Sequence, residues 1–202
     1  MNKYKKDLEK FQWDYTKEIR KKIEPGSILL SQPFMDDNVF KRTVCFVCAH
    51  NREEGSFGFI LNKPTTYKLA DFVDNLSAID NTIYYGGPVG NDTLYFLHDN
   101  SLELEGALKI TDNIYWGGDY EALQIKLATN KEAQKRIRFF LGYSGWGVDQ
   151  LKKEIIENSW IISQSKPEYI YNEDKNLWKS IMNNMGELYQ HLANLPERPE
   201  LN

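Results

Sequence analysis

The sequence predicts an α+β fold carrying a mixed or antiparallel sheet. Three observations carry this. Short apolar runs rich in β-branched and aromatic residues recur along the chain, and several close on Gly or Pro. Stretches of helical period lie among them without the regular strand–helix–strand alternation that builds a parallel sheet. No internal repeat or low-complexity linker divides the 202 residues, a length that fits one domain with terminal additions.

The elements follow in order. Tyr4, Leu8, Phe11, Tyr15, Ile19 and Ile23 recur at steps of three or four, an apolar stripe on a helix that Glu24-Pro25-Gly26 stops. Residues 1–25 thus form an accessory amphipathic helix, and residues 26–202 a single domain. Ser27–Leu30, Arg42–Cys48 and Phe57–Asn62 read as strands, the third ended by Lys63-Pro64. Thr66 is placed to cap a helix with Leu69, Phe72, Val73 and Leu76 on its apolar side. Thr82–Tyr85 and Thr93–His98 are strands. Asp119 caps a helix to about Ala128, Arg136–Tyr143 is a buried strand, Asp149–Glu157 a helix and Trp160–Ile162 a last strand. Leu177, Ile181, Met185, Leu188, Leu192 and Leu195 fall on one face of a C-terminal helix over about 174–195, ended by Pro196 and Pro199.

Composition narrows the function classes. Hydrophobic residues make up 41%, charged residues 27% and aromatic residues 13%, as in soluble globular proteins. No apolar run approaches the ~18 residues that span a bilayer, and the N-terminus lacks the uninterrupted apolar stretch of a signal peptide. The expected location is therefore cytoplasmic, without membrane contact. The net charge is −4. Residues 1–24 hold eight Lys/Arg against five Asp/Glu, which leaves 17 against 24 for the rest of the chain. An acidic main domain disfavours direct nucleic-acid binding, which needs a field of Lys and Arg against phosphate.

Cys45-Phe-Val-Cys48-Ala-His50 has the look of a metal or redox motif. In a strand, however, residues three apart point to opposite faces, so the two thiols read as structural and no metal site is expected. Gly142-Tyr-Ser144-Gly-Trp146-Gly147 sits between a strand and a helix, as a hydrolase nucleophile does, but Trp146 stands where that motif needs glycine. Gly86-Gly87-Pro88-Val89-Gly90 lacks the Gly-Lys-Ser/Thr of a phosphate loop. Trp116-Gly117-Gly118-Asp119 reads as a turn with an N-cap. No catalytic constellation and no cofactor is expected.

The ordered set of Gly26–Pro33, Phe40–Val44, Gly58–Pro64, Gly86–Val89, Leu97-His98 and Gly142–Gly147 with Gln150, Leu151 and Glu154 resembles the AlgH/YqgE family over about residues 26–163. The ending Pro196–Asn202 is similar too. Lys63, Ala49, Ser144 and Val148-Asp149 depart from the family's usual residues. The resemblance implies a largely antiparallel, bifurcated sheet curled into a pseudo-barrel and flanked by helices. Its relatives carry the label of transcriptional regulators by genetic association, and it implies no established enzymatic activity.

The reading is of a non-enzymatic binding or regulatory module for an unidentified protein or small molecule. A regulator acting directly on DNA and an unrecognised enzyme using Ser144, His98 or a carboxylate stand beside it. The expected binding surface gathers Asn62, Lys63 and Pro64, then Gly86, Gly87, Pro88 and Val89, then Gly142 to Gln150 with Tyr143 and Trp146, at one rim of the sheet. Asn62 and Gln150 donate and accept, Lys63 brings charge, and Trp146 brings an apolar face with one N–H. Turns that merely pack together are the alternative.

Overall fold

The computed structural model describes residues 22–76, 79–171 and 173–195. The expected N-terminal helix lies outside the described residues up to position 21, and so does the tail from Pro196. Ten strands are described: β1 (Ser27–Ser31), β2 (Val44–Asn51), β3 (Gly55–Ile60), β4 (Pro64–Lys68), β5 (Thr82–Tyr85), β6 (Val89–His98), β7 (Leu108–Thr111), β8 (Ile114–Trp116), β9 (Ile137–Trp146) and β10 (Trp160–Gln164). The helices are α1 (Tyr120–Thr129), α2 (Lys131–Gln134), α3 (Gln150–Ile156), α4 (Pro167–Tyr171), α5 (Leu177–Asn183) and α6 (Glu187–Ala193).

The strands form one α+β sheet in the order β10-β1-β2-β3-β9-β6-β8-β7, with β4 and β5 branching from β9. All pairings are antiparallel except β5 with β9. The sheet is bifurcated, as the resemblance implied, and curls without closing. Its end strands meet at a seam where a side-chain carbon at Gly26 would lie 2.6 Å from the Thr111 methyl. A hollow of about 450 Å³ runs along that seam between Gly26, Thr111 and Ile162–Ser165.

Why both faces of the central strands are apolar follows from the packing. Ile28, Leu30, Val44, Phe46, Phe59, Phe140 and Ile161 share one face and meet α4, α5 and α6 through Ile170, Trp178, Ile181 and Leu192. The opposite face of β1, β2, β3 and β10 is covered by Leu151 and Ile155 of α3. The opposite face of β5, β6 and β9 is covered by Leu123 and Leu127 of α1 and by the turns at Leu69 to Leu76. Cys45 lies in the α3-side cluster and Cys48 in the cluster on the other face, both as free thiols, so the two cysteines do point to opposite faces. Burial pushes the Cys45 thiol up to about 12 and raises Cys48 as well.

Two expectations need correction, and one element goes beyond them. Thr66 lies within strand β4, not at a helix N-cap, and two 3-10 turns, Leu69–Asp71 and Asp74–Leu76, stand where the helix was expected. The Thr65 hydroxyl donates to Ile83 O at 2.7 Å, tying this β-branched stretch to β5. The C-terminal helix over about 174–195 is two helices, α5 and α6, separated at Gly186 with φ 113°. The hairpin of β7 and β8 was not anticipated; Leu108 and Lys109 are exposed and leave no alternating apolar pattern to read.

Candidate functional site

The fork in the sheet is made by β9. Its first part lies between β6, with His98 opposite Ile137 and Leu94 opposite Leu141, and β5, with Ile83 beside Phe139. Past Gly142 it takes β3 as a partner, pairing Ser144 with Gly58 and Trp146 with Ser56. Gly142 has φ +68°, and a Cβ there would fall 2.6 Å from Gly87 O. The end of β5 drives into the fork as a wedge. Gly86 N donates to Leu141 O at 2.9 Å, Gly86 O accepts from Ile60 N at 2.9 Å, and a Cβ on Gly86 would lie 2.2 Å from Gly142 O. The Ser144 hydroxyl donates to Gly86 O at 3.1 Å.

The three segments singled out in the sequence therefore do meet. Tyr85 N donates to Lys63 O at 2.8 Å, and Val89 stands opposite Tyr143. They meet largely through backbone, and the groups expected to face a partner are bonded within the chain. Asn62 accepts from Val44 N at 2.9 Å and donates to Arg42 O at 2.8 Å. The Lys63 ammonium donates to Asn38 O at 3.1 Å and to Val39 O, and partial burial lowers its pKa. Trp146 is 4% exposed and donates to Glu154 Oε2 at 2.9 Å. Gln150 accepts from Gly147 N and donates to Glu154 Oε1, both at 2.9 Å. Pro64 is exposed and begins β4 opposite Tyr84; Gly86 and Gly87 are buried; Pro88 and Val89 are exposed.

Beside the fork a groove of about 560 Å³ opens between β3, β6, β8 and β9. Val89, Tyr143 and Trp146 of the sequence-derived set line it. Its other aromatic walls, Phe57, Phe59, Tyr95 and Trp116, were missed, because each strand contributes only one or two of them. The one local signal was Phe57 and Phe59, two apart on one face of a strand. Phe57 meets Trp116 with ring centroids 4.8 Å apart at 61° and Tyr143 at 6.0 Å and 80°. Tyr95 meets Tyr143 at 5.8 Å and 82°. These three pairs cross edge-on, whereas Phe59, also a lining ring, is tilted at 43° to Tyr95 and stacks on Phe140. The Tyr95 hydroxyl, the Tyr143 hydroxyl and the Trp116 indole N–H have no hydrogen-bond partner among the described residues. Glu54 is the one charged side chain lining the groove among the described residues.

The groups weighed for catalysis lie in other settings. Ser144 is fully buried against Gly86 O. His98 is 1% exposed, with Nδ1 2.8 Å from Asp99 O and Nε2 3.0 Å from Gly117 O. Among the described residues no three His, Cys, Asp or Glu side chains gather as a metal site.

Comparison with known proteins gives a consistent family signal. A family model described as AlgH-like matches residues 28–190. A UPF0301 protein of Chlorobium limicola is 39% identical over 182 residues, 90% of this chain and 97% of that protein. One of Bacteroides fragilis is 41% identical over 179 residues, 88% of this chain and 90% of that protein. Among solved structures, the AlgH protein from Pseudomonas aeruginosa superposes with a TM-score of 0.67 at 23% identity, covering 87% of this chain and 98% of its own. A protein from Corynebacterium diphtheriae superposes with a TM-score of 0.73 at 16% identity, covering 87% and 94%. At these identities the two structures speak for the fold.

Proposed function

The chain belongs to the AlgH-like family, and from that premise we propose that it is a non-enzymatic, cytoplasmic binding module whose small-molecule ligand enters the aromatic groove. One observation carries the reading: three polar heads on the aromatic wall, Tyr95, Tyr143 and Trp116, have no partner among the described residues and line a groove of about 560 Å³. Ligand sites are concave, apolar and set with a few polar groups, typically within ~300–1,000 Å³. A lining residue whose polar group has no partner within the chain leaves hydrogen-bonding capacity for a ligand. The inward commitment of Ser144 and His98 favours recognition over bond-making.

The test is a fragment screen read by chemical-shift mapping on the full chain. Neutral ring-bearing fragments should perturb Phe57, Tyr95, Trp116 and Tyr143 together, and Trp116→Leu should abolish those shifts while the far-UV circular dichroism stays native. Fragments that bind only elsewhere, or none that perturb these four residues, would overturn the proposal.

A further inference from the structure

We propose that the groove selects an organic ammonium, a compact cation carrying alkyl groups, over neutral or anionic ligands of the same shape; this rests on the groove being a ligand site. Two independent observations support the sign of the charge. The first is the wall. Phe57, Phe59, Tyr95, Trp116 and Tyr143 line the space together, and aromatic rings attract a cation through the negative potential of their faces. Tryptophan gives the strongest such attraction, and Trp116 is a lining residue. The second is the charge inventory. Among the described residues Glu54 is the one charged lining residue, and it is held by Asn51, whose Nδ2 donates to Glu54 Oε2 at 3.3 Å. The basic side chains Lys22, Arg52 and Lys152 line the adjoining hollow and not the groove.

These features discriminate between ligand charges. An anion entering the groove would leave water to face aromatic rings and a carboxylate, and among the described residues no cationic side chain lines the space to offset its desolvation. A neutral apolar group would gain burial alone. An alkylated ammonium gains the same burial, because its methyl groups are apolar, and adds attraction to the rings. The phenolic oxygens of Tyr95 and Tyr143 carry lone pairs that no described residue uses. Glu54 is exposed, so its share is the smaller one and is screened by salt.

Choline and its neutral isostere 3,3-dimethyl-1-butanol test this directly on the full chain by two-dimensional NMR titration. Choline should shift the Trp116 indole and Tyr143 ring signals and bind about fivefold or more tightly than the alcohol, the scale of one cation–π contact. Glu54→Gln should weaken choline by about twofold at low salt and leave the alcohol unchanged. Trp116→Leu should weaken choline about tenfold, and Trp116→Phe by less, which guards against a folding defect in the first variant. Equal binding of choline and the alcohol in the groove would overturn the ammonium selectivity while leaving the ligand site intact. If neither shifts these signals, the selectivity also falls, and the neutral-fragment map then decides separately whether the groove binds anything.

Discussion

Trp146 and Trp160 donate their indole N–H groups to the same oxygen, Glu154 Oε2, at 2.9 and 2.8 Å. Their rings cross at 80° with centroids 5.9 Å apart, so a carboxylate from α3 ties the end of β9 to the start of β10. Glu154→Ala leaves two donors without an acceptor beside two largely buried indoles and is expected to cost about 3 kcal/mol. Glu154→Gln keeps an acceptor and should cost about 1 kcal/mol. Urea denaturation of the two variants checks the ordering.

Gly142→Ala should destabilise the fold by at least about 3 kcal/mol, because a left-handed φ and a close backbone contact act together. The φ is +68° and the new methyl would stand 2.6 Å from Gly87 O. The measurement is the thermal midpoint. A shift of only a degree or two would mean that β9 can change partner without this turn.

The two thiols make stability fall in alkali. An unfolded cysteine ionises near its ordinary value of 9.0, whereas folded Cys45 holds its proton up to about 12. The folded state thus binds more protons above pH 9, and stability declines as pH rises from about 9 toward 12. The slope is about 1.4 kcal/mol per pH unit for one thiol. Cys45→Ala should cost about 1 kcal/mol at neutral pH yet show a shallower alkaline decline. Denaturant titrations of both proteins at pH 8 and 10.5 give the comparison.

Arg138 is 5% exposed, lies 3.7 Å from the Tyr84 ring centroid, and donates to Ile170 O at 2.7 Å. It therefore joins β9 and β5 to α4. Arg138→Lys keeps the charge but loses the planar fork that does both jobs, and should cost about 2 kcal/mol. Chemical denaturation followed at 222 nm reads the loss.

Much of the fold was legible because local signals agreed with the final packing. The continuous apolar runs at Ile28–Leu30 and Val44–Cys48 are buried on both faces, and Asp119 caps α1 by accepting from Ala122 N at 2.9 Å. The helical spacing of Leu69, Phe72, Val73 and Leu76 puts Thr66 at an N-cap, although tertiary pairing with β5 holds its segment extended. The site was legible in part. Gly86, Gly87 and Gly142 announced a backbone event, and that event is the fork. The polar residues around them carried no sign of direction, and Asn62, Lys63 and Gln150 proved to be bonded within the chain. The groove was hidden for another reason: Phe57, Tyr95, Trp116 and Tyr143 come from four strands and become neighbours only through the sheet order.

The seam between Gly26 and Thr111 has a consequence for motion. The β7–β8 hairpin reaches the rest of the sheet through two residue pairs, Leu97 with Trp116 and His98 with Tyr115, and among the described residues no strand pairs its far side. Segments with so few anchoring pairs open before the whole molecule does. Amide hydrogens of β7 should exchange with solvent well ahead of those of β9. Trp116 rides on that hairpin, so one wall of the groove belongs to a lightly paired edge of the sheet, and a guest seated against it should slow exchange there first.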